Sequence, residues 1–148
     1  MYCAQLPPAP APTPAPSRIF SPVILGIGLD VVETARLQRA LTLHGRRFEE
    51  RVFTADELRD CGPRRDQAVV LAARFAAKEA CMKALGTGWT QGISFQQIEV
   101  LDGTAGAPRL QLLGKAAERA REMGVRRVHV TLTHEPGLAA AVVILEGE

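Results

Sequence analysis

The sequence is poor in aromatic residues, which make up 5% of its 148 positions. Modules that bind single-stranded nucleic acid stack bases on aromatic side chains set among basic ones, so this scarcity argues against such a function. Neither sign of charge predominates, because 18 basic and 16 acidic residues leave a formal net charge of +2. A charge this small neither indicates nor excludes nucleic acid or an acidic protein as the partner.

Cysteine is scarce as well. The three cysteines, Cys3, Cys61 and Cys81, are odd in number, widely separated and free of any C-x-x-C spacing. Disulfide frameworks and zinc sites both require paired or closely spaced cysteines, so the sequence argues against both. This usage fits a reducing compartment and predicts a cytoplasmic protein.

Residues 1–22 contain neither the basic segment and apolar run of a signal peptide nor a stretch able to span a membrane. Proline and alanine dominate this segment, and such a composition cannot build a hydrophobic core. We expect an extended, largely disordered arm, or upstream sequence included through a misassigned start, and give it no function. Residues 23–148 then form one folded domain, an ordinary size for a single core.

An alanine-rich segment, residues 71–88 (LAARFAAKEACMKALGTG), predicts a helix that stops at a Gly-Thr-Gly. Gly86 and Gly88 give a loop whose backbone can approach a ligand closely. Glu79 and Lys83 lie four residues apart and therefore share one helix face, among apolar side chains. A carboxylate in that setting is costly unless its charge is offset. This favours a functional site over the alternative, a surface Glu–Lys pair.

A β-branched run with two glycines (VILGIGLDVV) predicts a strand that ends near Asp30, followed by a helix from residue 31 towards residue 48. Asp30 and Glu33 have the spacing of a capping box, so the residues alone favour Asp30 as a helix N-cap. A strand end followed by a helix start is also a common position for active-site carboxylates. Both interpretations of Asp30 stay open.

The rest of the chain predicts an α+β domain. Thr54 and Glu57 form a second capping box that opens a short helix, and another helix is expected at residues 115–123. The remaining strands are predicted at residues 93–102, 108–113, 125–134 and 138–145. Five strands and four helices without regular alternation indicate a mainly antiparallel sheet packed with helices. The last strand has no polar residue on either face, which predicts that both faces are covered, the second by another subunit.

The segments follow one another in a recognisable order. GIGLDVVETARL, RVFTADEL, RFAAKEACMKALGTG, GISFQQIEV, GKAAERAREMGV and VTLTHEPGLAAAVVILE together resemble the small bacterial 4′-phosphopantetheinyl transferases of the holo-acyl-carrier-protein synthase family. The resemblance covers residues 23–146, and KEAxxKALGTG at its distance after the G-x-D segment is its most specific part. Two features depart from the family pattern, the Pro/Ala arm and Thr-His-Glu at residues 133–135 in place of Ser-His.

The resemblance implies a homotrimeric, magnesium-dependent enzyme that binds coenzyme A between neighbouring subunits. It would transfer 4′-phosphopantetheine to a serine of apo-acyl carrier protein, in support of fatty acid biosynthesis, and release adenosine 3′,5′-bisphosphate. The positions that match the family's metal ligands are Asp30 and Glu79. Lys83 matches a residue near the phosphates, His134 one near the nucleotide end, and Arg36 one that meets the carrier protein.

The chemistry of that reaction suits these residue types. Magnesium takes oxygen ligands, typically one or two carboxylates completed by substrate phosphates and waters. Cleavage of a pyrophosphate needs cationic charge at the phosphates, from Lys83 with Lys78 or Arg74 as candidates for additional charge. Gly86 and Gly88 can offer backbone N–H groups to coenzyme A.

Three assignments stay open at this point. The serine proton goes either to Glu79 or to a metal-bound water relayed through it. His134 is either a ligand of coenzyme A or a structural residue at a strand end. Trp89 either lines the adenine or pantetheine pocket or packs in the core.

One predicted helix face is basic. Across residues 34–48 there is no acid, and on a helical wheel the arginines span an arc of roughly 100°, opposite the apolar face, with Leu43 among them. The arginines are Arg36, Arg39, Arg46 and Arg47. With the resemblance, this predicts a docking face for the acidic carrier protein rather than a merely solvated face. The wheel assumes that the helix passes Gly45.

Two other functions use the same residues. A magnesium-dependent nucleotide pyrophosphate hydrolase would use the same two carboxylates and turn over coenzyme A with water alone. A non-catalytic carrier-protein-binding module would tolerate neutralisation of both carboxylates. Neither the accepted carrier proteins nor the choice between magnesium and manganese follows from the sequence.

Overall fold

The structure is a computed structural model that describes residues 21–87 and 92–148. Five strands and four α-helices lie in this part of the chain, with two single 3₁₀ turns, Phe95–Gln97 and Thr104–Gly106. This confirms the α+β prediction. In chain order the elements are β1 (Val23–Glu33), α1 (Thr34–Val52), α2 (Ala55–Cys61), α3 (Gln67–Ala84), β2 (Ile98–Asp102), β3 (Pro108–Leu112), α4 (Gly114–Met123), β4 (Arg127–Glu135) and β5 (Leu138–Gly147).

The strands form two antiparallel sheets, one with the order β1-β5-β4 and one formed by β2 and β3. The predicted hairpin at the end of the chain is confirmed, since β4 pairs with β5 from Arg127 opposite Glu146 to Glu135 opposite Leu138. Gly137 turns the chain between them with φ of 88°, a value that favours glycine. The central strand is therefore β5, which also pairs with β1.

Helix α3 packs directly on the three-stranded sheet, and two glycines of β1 allow its close approach. A Cβ atom on Gly28 would lie 1.7 Å from the Ala80 carbonyl oxygen, and one on Gly26 would lie 2.1 Å from that of Ala84. Small residues on both elements thus let the helix backbone rest against the strand. This contact fixes where the carboxyl-terminal half of α3 sits relative to β1.

A buried polar network joins α2, α3 and β2. Thr54 and Glu57 form the predicted capping box, which is confirmed. The Glu57 carboxylate also accepts a hydrogen bond from the Val100 N–H at 2.9 Å. The Lys78 Nζ lies 2.7 Å from the same carboxylate, and both side chains are inaccessible to solvent. Every charge in this network has a partner, as burial requires.

The predicted boundary after the first strand is wrong. Strand β1 continues to Glu33, and Asp30 lies inside it, opposite Ala141 of β5. Asp30 is therefore not an N-cap. The β-branched Val31 and Val32 extend the strand, and pairing with β5 satisfies backbone groups that a helix would otherwise use. Helix α1 begins at Thr34 instead, where Glu33 provides no side-chain cap.

Three further boundaries differ from the sequence-based prediction. Helix α1 is interrupted at Gly45, whose φ of 50° and ψ of −137° are not helical. Helix α3 begins at Gln67, earlier than predicted. Strand β2 begins at Ile98, because the preceding Phe95–Gln97 forms a 3₁₀ turn.

The three-stranded sheet has one face on α3 and one open face. Along β5, buried and half-buried residues alternate. On β1, the side chains of Ile27, Leu29 and Val31 are 61%, 56% and 57% exposed. Helix α3 is thus one of the two covers predicted for the last strand. The second cover, by another subunit, stays a prediction. Within the described residues, no helix has the length and apolar character needed to cross a membrane.

Candidate active site

A cavity of about 610 Å³ lies between β1, α1 and α3 and brings together three of the predicted site residues. Asp30 reaches it from β1, Glu79 from α3 and Arg36 from the first turn of α1. Its other lining residues are Val31, Val32, Glu33, Leu37, Ala40, Phe48 and Phe75. The candidate active site thus has the carboxylates of Asp30 and Glu33 from β1 and of Glu79 from α3, with a guanidinium beside them and apolar walls around them.

Lys83 ties this site to strand β1. Its Nζ donates to the Asp30 carboxylate at 2.9 Å and to the Leu29 carbonyl oxygen, also at 2.9 Å. The Lys83 side chain remains 54% exposed. The ammonium therefore compensates the charge of Asp30 while still facing solvent, where a phosphate can reach it.

Glu79 is electrostatically less well compensated. Partial burial raises its pKa above the ordinary value, and the nearby charge of Asp30 raises it further. The charges of Lys83 and Arg36 act in the opposite direction but do not cancel the shift. The two acids thus repel each other across the cavity, and a cation between them would relieve that repulsion.

This donor set fits a magnesium ion. The described residues contain no cluster of three or more histidine, cysteine, aspartate or glutamate side chains able to enclose a metal. Asp30 and Glu79 instead supply two carboxylates, and magnesium commonly binds through one or two carboxylates with substrate phosphates and waters. These two residues therefore suit a hard cation that also binds the phosphates of a substrate.

The arginines of α1 do not form one continuous face. Arg36 and Arg39 lie before the break at Gly45, and Arg46 and Arg47 lie after it. The single arc predicted for all four is therefore wrong, because the non-helical Gly45 changes the direction of the helix. Leu43 is 76% exposed beside Arg39 and Arg36 on the first segment.

Arg46 differs from the other three because it forms an ion pair, 2.9 Å long, with Glu50. Both side chains are largely exposed, so the pair contributes little stability. It does compensate the charge of Arg46 within its own helix. Arg36, Arg39 and Arg47 form no ion pair within the described residues.

The structure corrects the assignment of Arg74 to coenzyme A. Arg74 is 1% exposed, and its guanidinium donates to the Glu57 carbonyl oxygen and to the Asp60 carboxylate, with Asp102 also nearby. A guanidinium enclosed in this way cannot reach a ligand in solvent. The same holds for Lys78, which is paired with Glu57 in the interior. Lys83 alone of the three predicted cations reaches the site.

Two further predicted residues lie outside the cavity. Gly86 follows α3 with φ of 65°, and open space surrounds the position that a Cβ would occupy. His134 is exposed on β4, opposite Ala139 of β5, so that β5 separates it from β1 and Asp30. Gly88 and Trp89, which the sequence analysis also singled out, lie outside the described residues.

Sequence reasoning did not identify the residues that position this site. Gly26 and Gly28 admit the backbone of α3, and the Leu29 carbonyl anchors Lys83. The signal was present in the G-x-G spacing, because two glycines at a period of two fall on the same face of a strand. Phe48 and Phe75 form the aromatic walls of the cavity, and the sequence shows them only as apolar positions on predicted helices.

Comparison with known proteins decides the family. Residues 26–142 match the family model described as the 4′-phosphopantetheinyl transferase superfamily. The chain belongs to this superfamily. The resemblance noted from the sequence motifs is therefore confirmed, together with the enzyme class that it implied.

Individual relatives agree with this assignment. A holo-acyl-carrier-protein synthase from Anaeromyxobacter dehalogenans is 55% identical over 128 residues, which cover 84% of this chain and 98% of the relative. The crystal structure of the corresponding synthase from Neisseria meningitidis is similar with a TM-score of 0.75 at 34% identity, covering 83% of this chain and 98% of that one.

A third comparison bears on the ligand. The Helicobacter pylori holo-acyl-carrier-protein synthase, solved in complex with coenzyme A, matches with a TM-score of 0.71 at 30% identity, covering 80% of this chain and 98% of that one. At this identity and coverage, the likeness extends beyond the fold to the family. That relative therefore binds coenzyme A.

Proposed function

We propose that the protein transfers 4′-phosphopantetheine from coenzyme A to a serine of apo-acyl carrier protein and releases adenosine 3′,5′-bisphosphate. The observation that carries this proposal is the pair of carboxylates, Asp30 and Glu79, facing one cavity in a chain that belongs to the phosphopantetheinyl transferase superfamily. The resulting holo-acyl carrier protein serves fatty acid biosynthesis.

Asp30 and Glu79 would hold magnesium in this proposal, and the ion would supply neutralising charge for the cleavage of the pyrophosphate. Lys83, anchored on the Leu29 carbonyl and still exposed, orients the phosphates of coenzyme A. Glu79 lies in the cavity where it can accept the proton of the attacking serine, directly or through a water. Both acids would thus hold the ion, and Glu79 has the additional task of accepting the proton.

Coenzyme A binds between neighbouring subunits of a homotrimer in this proposal. The open, apolar sheet face of β1 and β5 supports such an assembly, because surfaces of this kind are normally covered in an oligomer. His134 lies two strands from Asp30 within one chain, so it would contact coenzyme A in the site of a neighbouring subunit. Gly86, whose N–H donates to the Lys83 carbonyl oxygen, leaves open space for the same ligand, and Gly88 would offer it a backbone N–H group.

The carrier protein docks on helix α1 beside the cavity. Arg36 both lines the cavity and lies on the same helix segment as Arg39 and the exposed Leu43. An acidic carrier protein placed on these residues would bring its serine towards Glu79. Arg46 and Arg47, after the break at Gly45, extend the basic surface. The buried free thiols of Cys61 and Cys81 fit a cytoplasmic enzyme.

The deciding experiment is mass spectrometry of an apo-acyl carrier protein incubated with this protein, coenzyme A and magnesium. The proposal predicts that one phosphopantetheine is added to the carrier serine. Release of adenosine 3′,5′-bisphosphate without any carrier protein would instead identify the pyrophosphate hydrolase. Binding of carrier protein with no change in its mass would identify the non-catalytic module.

A further inference from the structure

A second cavity, of about 500 Å³, lies between β3, α4 and the start of β4. It shares no lining residue with the candidate active site. Its walls are β3 of the two-stranded sheet and β4, an edge strand of the three-stranded sheet, with α4 between them. The lining residues are Arg109, Leu110, Gln111, Leu112, Ala117, Ala120, Arg121, Val125, Arg126 and Val128.

The floor of this cavity is apolar. Leu110 and Ala120 are buried in the core, and Leu112, Val125 and Val128 pack against that core while remaining partly exposed. An apolar recess of this size lies within the range of small-molecule sites, roughly 300–1,000 Å³. The floor therefore suits an alkyl chain rather than a wholly polar ligand.

The rim carries three exposed arginines, Arg109, Arg121 and Arg126, which come from three different elements or their connections. In the described part of the chain, no acidic side chain lines this cavity and none of the three forms an ion pair. Arg109 contacts only the neutral Gln111 oxygen, at 3.3 Å. Elsewhere in the described part of the chain, six arginines are paired with acids and five are not; the paired ones are Arg46, Arg59, Arg64, Arg74, Arg119 and Arg127.

We propose that this cavity binds a single-chain amphiphilic anion, with a carboxylate or phosphate head on the arginines and an alkyl chain on the apolar floor. Guanidinium groups bind such heads with paired, charge-assisted hydrogen bonds. An anion would also give a charged partner to three arginines that form no ion pair within the described residues. The site stands apart from the candidate active site and does not rest on the proposed function.

The test uses the full chain and decanoate, at concentrations where decanoate is monomeric, with decanol as the neutral probe of equal chain length. Methyl NMR of Leu112, Val125 and Val128 reports occupancy of the floor. We expect saturable shifts with decanoate at one site, and about tenfold weaker binding of decanol, since only the charged head forms charge-assisted hydrogen bonds with the arginines. The double variant Arg109→Gln/Arg121→Gln should weaken decanoate binding by about tenfold or more.

Arg51→Gln is the matched control, because Arg51 is exposed on α1 and lines neither cavity. It should leave decanoate binding unchanged. If the double variant fails to fold, Arg126→Gln carries the same test, since its side chain lies outside the core. Equal affinity for decanol, unchanged affinity in the arginine variants, or binding to phosphatidylglycerol vesicles without binding to monomeric decanoate would each overturn the proposal.

Discussion

At the scale of single residues, Asp30 and Glu79 face one cavity but differ in their electrostatic surroundings. Asp30 has Lys83 at 2.9 Å, so its negative charge is compensated. Glu79 has no hydrogen-bonded partner of that kind, and burial together with the charge of Asp30 raises its pKa. The site is thus set up for a cation that the protein alone does not supply.

Replacement of Asp30 tests the metal assignment. Asp30→Asn keeps the size of the side chain and its place in strand β1 but removes one charge. We expect the variant to fold and its metal-dependent turnover to fall by about a hundredfold or more, since such electrostatic contacts carry much of the rate. Turnover at limiting magnesium is the measurement, with Glu122→Gln on α4 as an exposed control. Near-full activity of the Asn variant would show that Asp30 is only a structural residue.

Replacement of Glu79 tests the electrostatic conflict. Because folding raises the pKa of Glu79, the metal-free fold is favoured at pH below the ordinary carboxyl value of 4.5 and loses stability as the pH rises through the folded-state pKa. In EDTA, Glu79→Gln should therefore melt at a higher temperature than the wild type at pH 8, with the difference shrinking towards pH 4.

The same pair of proteins provides its own control. Added magnesium should raise the melting temperature of the wild type much more than that of Glu79→Gln, because only the wild type has both carboxylates. A difference in melting temperature that does not change with pH would contradict the electrostatic account. The Glu79→Gln variant should be inactive with or without magnesium. The wild type thus gives up stability at this position for function.

At the scale of elements, the packing of α3 on β1 sets the distance between the two acids. Gly28→Ala would place a methyl group 1.7 Å from the Ala80 carbonyl oxygen, so the helix must move away. We expect a loss of about 1–3 kcal/mol in the free energy of unfolding, or more, and reduced turnover, since α3 carries Glu79 and Lys83.

Denaturant unfolding and turnover of the Gly28→Ala variant measure both effects. A second substitution, Ala80→Gly, should not restore either, because the obstructing atom belongs to the backbone. Unchanged stability, or rescue by Ala80→Gly, would show that the helix does not rest on the strand in this way.

Helix α1 carries the prediction about docking. Arg39 is exposed on the segment before Gly45 and does not line the cavity, so a change there leaves the reacting groups intact. Arg39→Glu should raise the apparent KM for apo-acyl carrier protein by about tenfold and leave that for coenzyme A nearly unchanged. The effect should weaken with salt, because the Debye length is about 8 Å at physiological ionic strength.

Steady-state kinetics with each substrate varied in turn provides the measurement, and Lys115→Glu on α4 is the matched charge reversal. Movement of both KM values together, or of neither, would place the docking site elsewhere. Arg36→Glu is less specific, because Arg36 also faces Glu79 in the cavity.

The same elements show why sequence predicts some features and misses others. The capping box of Thr54 and Glu57 is a local pattern, and the structure contains it. The similar pattern at Asp30 failed because a distant segment, β5, pairs with β1 and extends the strand. The enclosure of Arg74 depends on α2 and β2 packing against α3, which no helical wheel of α3 can reveal. Patterns that depend on neighbours in sequence were predictable, and those that depend on neighbours in space were not.

At the scale of the whole molecule, no element of the described chain covers one face of the three-stranded sheet, and this face is apolar on β1 and β5. In register across β1, β5 and β4, Leu29 lies opposite Val142, and Val142 opposite Thr131. Charged groups are confined to the ends of this face, where Arg127 and Glu146 form an ion pair. An apolar centre with a charged margin is the usual anatomy of a subunit interface.

Assembly is tested by a charge on that face. Leu29 is 56% exposed within one chain, so Leu29→Asp should be tolerated by a monomer but not by an interface. We expect the wild type to have the mass of a trimer in native mass spectrometry, and the variant to dissociate and to lose coenzyme A binding. Leu43→Glu, at a leucine on α1 that is even more exposed, should leave the mass unchanged. A wild-type monomer that binds coenzyme A at full strength would refute the shared site.

The most direct test of the central claim is the stoichiometry of the reaction. Adenosine 3′,5′-bisphosphate and holo-acyl carrier protein are quantified together, with and without apo-acyl carrier protein, in the presence of coenzyme A and magnesium. The transferase account predicts one nucleotide released for each carrier serine modified, none without the carrier protein, and a loss of both products in Asp30→Asn. Nucleotide release that continues without carrier protein at the same rate would contradict it.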